Sequence, residues 1–237
     1  MLSETKMLNA IILQMVRSWA ATEEGVHSTS ELLQWIEEKN STTHVNIEKI
    51  PLSECLPWAY NSESGRIQNK DGSFFTISGF QQIQSGEVIH EQPIILQEEI
   101  GYLGIICKEI DGVLHFLMQA KIEPGNVNKV QISPTIQATK SNFTQKHGGR
   151  RPAYLEYFLD VNSRDVIVDQ IQSEQSSRFY KKRNRNIIIL VDEEVEVLPS
   201  HKWMTLGQIK QLMKYDIKNV GCRNIFDVVG LLKGETK

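Results

Sequence analysis

Cysteine is scarce and scattered. Cys55, Cys107 and Cys222 form no CxxC pair and cannot all pair within one chain, so reduced thiols in a cytoplasm are the expectation. Long apolar runs are missing as well. The longest unbroken aliphatic stretch, Ile187 to Val191, falls far short of the roughly 20 residues a membrane-spanning helix needs. The first residues, MLSETKMLNA, lack the basic start and apolar core of a secretory signal. With 7 prolines and 23% charged residues the chain is neither collagen-like nor disordered. The common phosphate-binding and zinc motifs GxGxxG, GxxxxGK[ST] and HExxH are absent, as are a GxSxG elbow and a cysteine with a catalytic signature. Its 6 histidines, at positions 27, 44, 90, 115, 147 and 201, are spaced too widely to read as a metal site. Neither a membrane nor a metal is expected as a partner.

What is present is ordinary globular composition, 40% hydrophobic over 237 residues, enough for one large domain with helical additions. The net charge of −3 conceals an asymmetry. Residues 1–120 carry 7 Lys and Arg against 16 Asp and Glu, whereas 121–237 carry 19 against 13. Within 121–185 the ratio is 12 to 6, so an anionic ligand would find company there, unless those charges only keep a face solvated.

The first forty residues predict two helices. Met7, Ile11 and Met15, with Leu8, Ile12, Val16 and Trp19, recur at three- and four-residue steps. Ser28-Thr29-Ser30-Glu31 is a capping box opening a second helix, whose buried face is Leu32, Leu33, Trp35 and Ile36. From about residue 73 the period shortens to that of strands: Phe74 to Ile77, Val88-Ile89 and Ile94 to Leu96. Asp111-Gly112 between the runs 102–109 and 113–121 predicts a hairpin, because both turn residues tolerate positive φ. Further strands are expected at Val130–Ile132, Val166–Val168 and Ile187–Val191. Thr205 with Gln208 three residues on caps a helix carrying Leu206, Ile209, Leu212 and Met213, and a last helix is expected at Ile225–Leu232. The class is α+β, a mixed sheet flanked by helices, with a helical segment over 1–57 and a main module over 58–237.

Between 119 and 186 the chain is unusually rich in polar residues for a stretch that should be sheet. Gln and Asn offer donor and acceptor together and can read a nucleobase or sugar hydroxyl. Lys and Arg suit a diphosphate, and Glu, His and Tyr can carry protons. The segments EPGN (123–126), SPTIQATKSN (133–142), HGG (147–149), QSEQ (172–175) and KRNRN (182–186), in this order and spacing, resemble the NDP-hexose 2,3-dehydratase family. The resemblance runs from about Trp58 to the capped helix after Trp203. It implies a fold similar to that of Nudix hydrolases, although no Nudix box is present and magnesium-dependent diphosphate hydrolysis is not implied. It also implies a substrate, an NDP-linked (usually dTDP-linked) 4-keto-6-deoxyhexose, on the way to 2,6-dideoxysugars. Family proteins commonly hold two copies of the module in one chain; this chain has one, and a homodimer would restore the pair.

The implied reaction needs no redox cofactor or metal. The C4 ketone acidifies the C3 hydrogen; a base removes it, an acid assists departure of the C2 hydroxyl, and the enol relaxes to a 3,4-diketo sugar. Glu174, Tyr154 and His147 are the expected base and acid. Against these stand an ion pair of Glu174 with Arg178 or Lys181, a core position for Tyr154 beside Leu155 and Phe158, and a merely exposed loop for His147. Lys121 is expected at the diphosphate or the enolate oxygen, and Glu123 at a sugar hydroxyl or the base, with a local salt bridge as the alternative. Asn126, Gln137, Thr139, Asn142 and Gln172 are expected readers of nucleotide or sugar, although Asn126 can instead complete the Pro124-Gly125 turn. Arg183 and Arg185 are the diphosphate candidates; the other reading is a solvated basic face. Trp58 reads as core. The rival functions are a non-catalytic nucleotide-sugar subunit and nucleic-acid binding through KKRNR with Phe179 and Tyr180. A pI near 6.1 argues against nucleic acid.

Overall fold

Local signals set the first elements. The computed structural model describes residues 4–139, 151–159, 161–163 and 165–214; His147, Asn142 and the expected helix at 225–232 lie outside them. Helix α1 spans Glu4–Ala20 and α2 spans Thr29–Thr42. The capping box forms as expected, with the Ser28 hydroxyl accepting from the Glu31 amide while the Glu31 carboxylate takes the Ser28 amide at 2.7 Å. The stripe of α1 differs from expectation. Ile12 and Val16 are exposed, whereas polar Ser18 is buried, its hydroxyl donating to Leu114 O at 2.6 Å and accepting from Leu206 N at 3.0 Å.

Twelve strands follow among the described residues: β1 (Trp58–Asn61), β2 (Arg66–Asn69), β3 (Thr76–Gln84), β4 (Glu87–Leu96), β5 (Gly101–Ile110), β6 (Val113–Ile122), β7 (Val130–Ser133), β8 (Ile136–Thr139), β9 (Val166–Ser173), β10 (Phe179–Tyr180), β11 (Arg183–Leu190) and β12 (His201–Met204). Between them lie the short helix α3 (Glu156–Leu159) and, at the end, α4 (Leu206–Leu212) with its Thr205–Gln208 capping box. Asp111 and Gly112 both adopt positive φ, 52° and 80°, which closes the β5–β6 hairpin as expected. Phe74, expected in a strand, instead sits at φ 70° in the turn before β3. The fold is α+β, with more strands than the sequence reading placed.

By its internal contacts the chain divides into two compact units. The first comprises Met1–Asn46, Tyr102–Gln170 and Asn186–Lys237. It is built on a seven-stranded sheet, ordered β12-β6-β5-β11-β9 with β7 on β6 and β8 on β5. Alternation along the strands sorts its apolar residues into two cores. Ile105, Cys107, Leu114, Phe116, Met118 and Ile188 pack with Leu32, Ile36 and Ile209 from the helices. Ile106, Leu117, Ile187 and Ile189 pack with Ile136, Tyr154, Leu155 and Phe158. Both faces are covered, so β5, β6 and β11 contain continuous apolar runs instead of alternating ones.

The second unit comprises Ile47–Gly101 and Ile171–Arg185. Its five-stranded sheet is ordered β1-β2-β3-β4-β10, and β10 runs parallel to β4 while the other pairs are antiparallel, so the sheet is mixed. The β3–β4 hairpin turns at Ser85 and Gly86, at φ 53° and 88°. Among the described residues no helix is long and apolar enough to cross a membrane.

Candidate active site

The second unit gathers the most distinctive polar cluster. Glu174 follows directly after β9, and its amide donates to Lys182 O at 2.9 Å, so the chain leaving β9 is tied to the chain entering β11. The side chains of residues two apart in an extended chain share a face. Asn184 can therefore reach across the same gap, and its Nδ2 donates to Glu174 Oε2 at 2.5 Å. Glu174 Oε1 accepts from the Gln175 amide at 3.2 Å. The half-buried carboxylate thus has one donor on each oxygen. Among the described residues no ion pair joins Glu174 to Arg178 or Lys181, the bland alternative the sequence offered.

Lys182 is 6% exposed, and its Nζ donates to Glu99 O. Burial pulls the ammonium below its ordinary pKa, while the charges of Glu99 and Glu174 pull the other way. Gly101 completes the cluster: a Cβ there would run into Asn184 Oδ1, so the missing side chain is the space the Asn184 amide occupies. A carboxylate fixed by an amide beside a buried amine is a group able to take a proton from carbon. The sequence named Glu174 as a candidate; Lys182, Asn184 and Gly101, which the structure brings to it, were not among the candidates. Lys182 and Asn184 stand in the quoted KRNRN segment, and their period-two spacing ahead of the Ile187–Ile189 run was the available signal.

The remaining candidates are distributed between the units. Gln172 is half-buried and Arg183 is exposed, both in the second unit, as is the half-buried Arg185. In the first unit Lys121 and Glu123 form an ion pair at 3.0 Å with both side chains partly exposed, which is the local salt bridge weighed above. Asn126 closes the turn they flank, its Nδ2 donating to Lys121 O at 3.1 Å and Lys129 O at 3.3 Å. Gln137 and Thr139 alternate along β8 with the buried Ile136 and Ala138, and so lie on its less buried face. Tyr154 is buried in the core at φ 61°. Its hydroxyl donates to Glu196 O and accepts from Leu198 N, both at 2.9 Å, so its one proton is already committed. Burial raises its pKa further from neutrality. Among the described residues no group of three or more His, Cys, Asp and Glu is placed to hold a metal ion.

The family model for NDP-hexose 2,3-dehydratase matches residues 29–228. The chain belongs to this family. The resemblance carried by the EPGN, SPTIQATKSN, HGG, QSEQ and KRNRN segments is thereby borne out. A relative from Saccharopolyspora spinosa, dTDP-4-dehydro-6-deoxy-alpha-D-glucopyranose 2,3-dehydratase, is 45% identical over 208 residues, covering 86% of this chain and 43% of its own. Relatives of the same name from Amycolatopsis orientalis and Streptomyces violaceoruber are 44% and 38% identical, over 83% and 84% of this chain. The chain spans less than half the length of these relatives, 43% to 46%. Among solved structures, an ADP compounds hydrolase is similar at a TM-score of 0.42 and 16% identity, over 68% of this chain and 87% of that one. A C. elegans Ap4A hydrolase scores 0.34 at 11% identity, over 57% of this chain and 92% of its own. At these scores the likeness carries no argument, and the α+β class rests on the elements themselves.

Proposed function

We propose that this member of the family is a carbon–oxygen lyase that eliminates the C2 hydroxyl of a dTDP-4-keto-6-deoxyhexose, giving the 3,4-diketo-2,6-dideoxy sugar. The observation that carries the reading is the Glu174 carboxylate, held by Asn184 beside the buried Lys182, within the QSEQ and KRNRN segments of the matched range. Glu174 takes the C3 proton; the electron pair moves to form the C2–C3 double bond as the C2 oxygen leaves with a proton, as water. The resulting enol regains a proton at C2 and its C3 oxygen becomes the second ketone. Asn184 fixes the direction in which Glu174 accepts, and Lys182 sets a positive charge near the carboxylate.

His147 is proposed as the acid and Lys121 as a donor to the enolate or the diphosphate, on sequence grounds. Glu123, Asn126, Gln137, Thr139, Asn142, Gln172, Arg183 and Arg185 are proposed contacts to the nucleotide or sugar on the same grounds. We further propose that two copies of the 58–237 module assemble as a homodimer, since the relatives are about twice as long. The free thiols of Cys55 and Cys107 agree with work in a reducing cytoplasm.

Incubation of the purified chain with dTDP-4-keto-6-deoxyglucose in deuterated buffer, followed by NMR and mass spectrometry, tests the reading. Loss of the C2 hydroxyl with deuterium entering C2, both abolished by Glu174→Gln, is the expected result. Substrate that binds and stays intact overturns it in favour of a non-catalytic nucleotide-sugar subunit.

A further inference from the structure

Two aromatic rings of the second unit lie outside both hydrophobic cores. Phe80 on β3 and Tyr180 on β10 stand 4.5 Å apart between centroids, tilted by 41°. Tyr180 remains 39% exposed. The register shows on which face of the sheet the two rings stand. Phe80 lies opposite Gln92, Gln82 opposite His90, and Thr76 opposite Leu96, whose other neighbour is Tyr180. With side chains alternating, Phe80, Gln92, His90 and Tyr180 all rise from one face of the sheet.

That face is polar as well as aromatic. Gln92 Nε2 donates to Ser177 O at 2.7 Å, and its Oε1 is 2.9 Å from His90 Nε2. This pairing fixes the amide and leaves the second ring nitrogen of the exposed His90 for another group. Lys181 follows at φ 53°, and this turn brings its Nζ to 5.0 Å from the Tyr180 centroid. Lys181 and the nearby Arg178 are both exposed. A flat ring with hydrogen-bonding edges, linked to two negative charges, matches this surface: rings to stack upon, an imidazole and amide on the same face, and two exposed cations flanking Tyr180 in the chain.

We propose that Phe80, Tyr180, His90, Gln92, Lys181 and Arg178 form a nucleoside-diphosphate subsite, with the base on Tyr180 and the diphosphate at Lys181 and Arg178. This rests on the sugar-nucleotide reading and says which residues hold the nucleotide. It differs from the sequence expectation, which gave the diphosphate to Arg183 and Arg185.

Calorimetric titration of the full chain with dTDP, thymidine and inorganic pyrophosphate tests it, alongside turnover of the 4-keto sugar. Tyr180→Ala should weaken dTDP and thymidine about tenfold or more and leave pyrophosphate unchanged. Lys181→Ala should weaken dTDP and pyrophosphate and leave thymidine unchanged. Tyr180→Phe, which keeps the ring, should bind as the parent does and controls for folding. Turnover by the parent with dTDP affinity unchanged in both alanine variants overturns the subsite and leaves the lyase reading standing. A parent that neither binds dTDP nor turns over the sugar overturns both.

Discussion

Gly101→Ala isolates the part of the site that depends on Asn184. An alanine Cβ at this position would overlap Asn184 Oδ1 and lie 3.2 Å from its Cγ and 3.8 Å from its Cβ. The obstacle is the end of a rotatable side chain, and the backbone at 101 is not in the left-handed region, so the strand should tolerate the methyl. The Asn184 amide then has to swing away from Glu174. What is lost is one hydrogen bond to a charged group, about 1.5–3 kcal/mol, with the lower end appropriate because Glu174 is only half-buried. If that bond aims the carboxylate at C3, kcat should fall about tenfold with KM little changed. Stability should move by less than about 1 kcal/mol, since Gly→Ala also restricts the unfolded chain. The decisive assay is the rate of deuterium entry at C2 for Gly101→Ala, Asn184→Ala and the double variant, each checked by chemical denaturation. Because both changes remove the same contact, the double variant should be no slower than Asn184→Ala alone. Parental rates in Gly101→Ala, or losses that simply multiply in the double variant, would refute the reasoning.

Tyr154→Phe should destabilise the chain by about 1–3 kcal/mol in denaturant, because Glu196 O and Leu198 N lose their shared partner, while activity per folded molecule is kept. Loss of activity at unchanged stability would return Tyr154 to the catalytic role read from sequence. Gly207→Ala should cost about 1–3 kcal/mol, since its Cβ would collide with the Ala21 carbonyl and backbone is harder to displace than a side chain; a parental melting temperature would contradict this. His115 and His201 are buried, and burial holds both below their ordinary 6.5, so the unfolded chain binds more protons as pH falls. Stability should therefore drop below about pH 6.5, and a melting temperature flat from pH 7.5 to 5.5 would contradict that. Lys182→Met should leave stability equal or raised while lowering kcat, and a fall in stability with kcat intact would make Lys182 purely structural.

The elements read correctly from sequence are those whose cause is local. Asp111-Gly112 needs only two residues that accept positive φ, and Ser28 with Glu31, or Thr205 with Gln208, needs only three intervening bonds of helix. The β3–β4 hairpin escaped because residues 81–91 are exposed on both faces, so Gln81-Gln82-Ile83-Gln84 carries no alternation to detect. Ser18 broke the apolar stripe of α1 because its hydroxyl serves Leu114 and Leu206, which lie 96 and 188 residues away. Glu174 was open to reading as a candidate through its motif. Its company was not, since buried Lys182 finds its hydrogen-bond acceptor at Glu99 O, 83 residues earlier in the chain.

Lys182 also changes how the basic middle of the chain is understood. As sequence, KKRNR is a run of cations, and a solvated face is the natural expectation. In the fold the run splits by position: Lys181 and Arg183 are exposed while Lys182 is buried between them. A buried ammonium loses several kcal/mol of hydration, and a single carbonyl restores only part of it. An apolar side chain of the same length would fill the space without that loss. The amine is therefore a poor choice for packing, and the nearby Glu174 carboxylate is the group its charge meets. On the proposed reading the same segment offers exposed Lys181 to a diphosphate and buried Lys182 to Glu174, so one short basic run would serve both binding and chemistry.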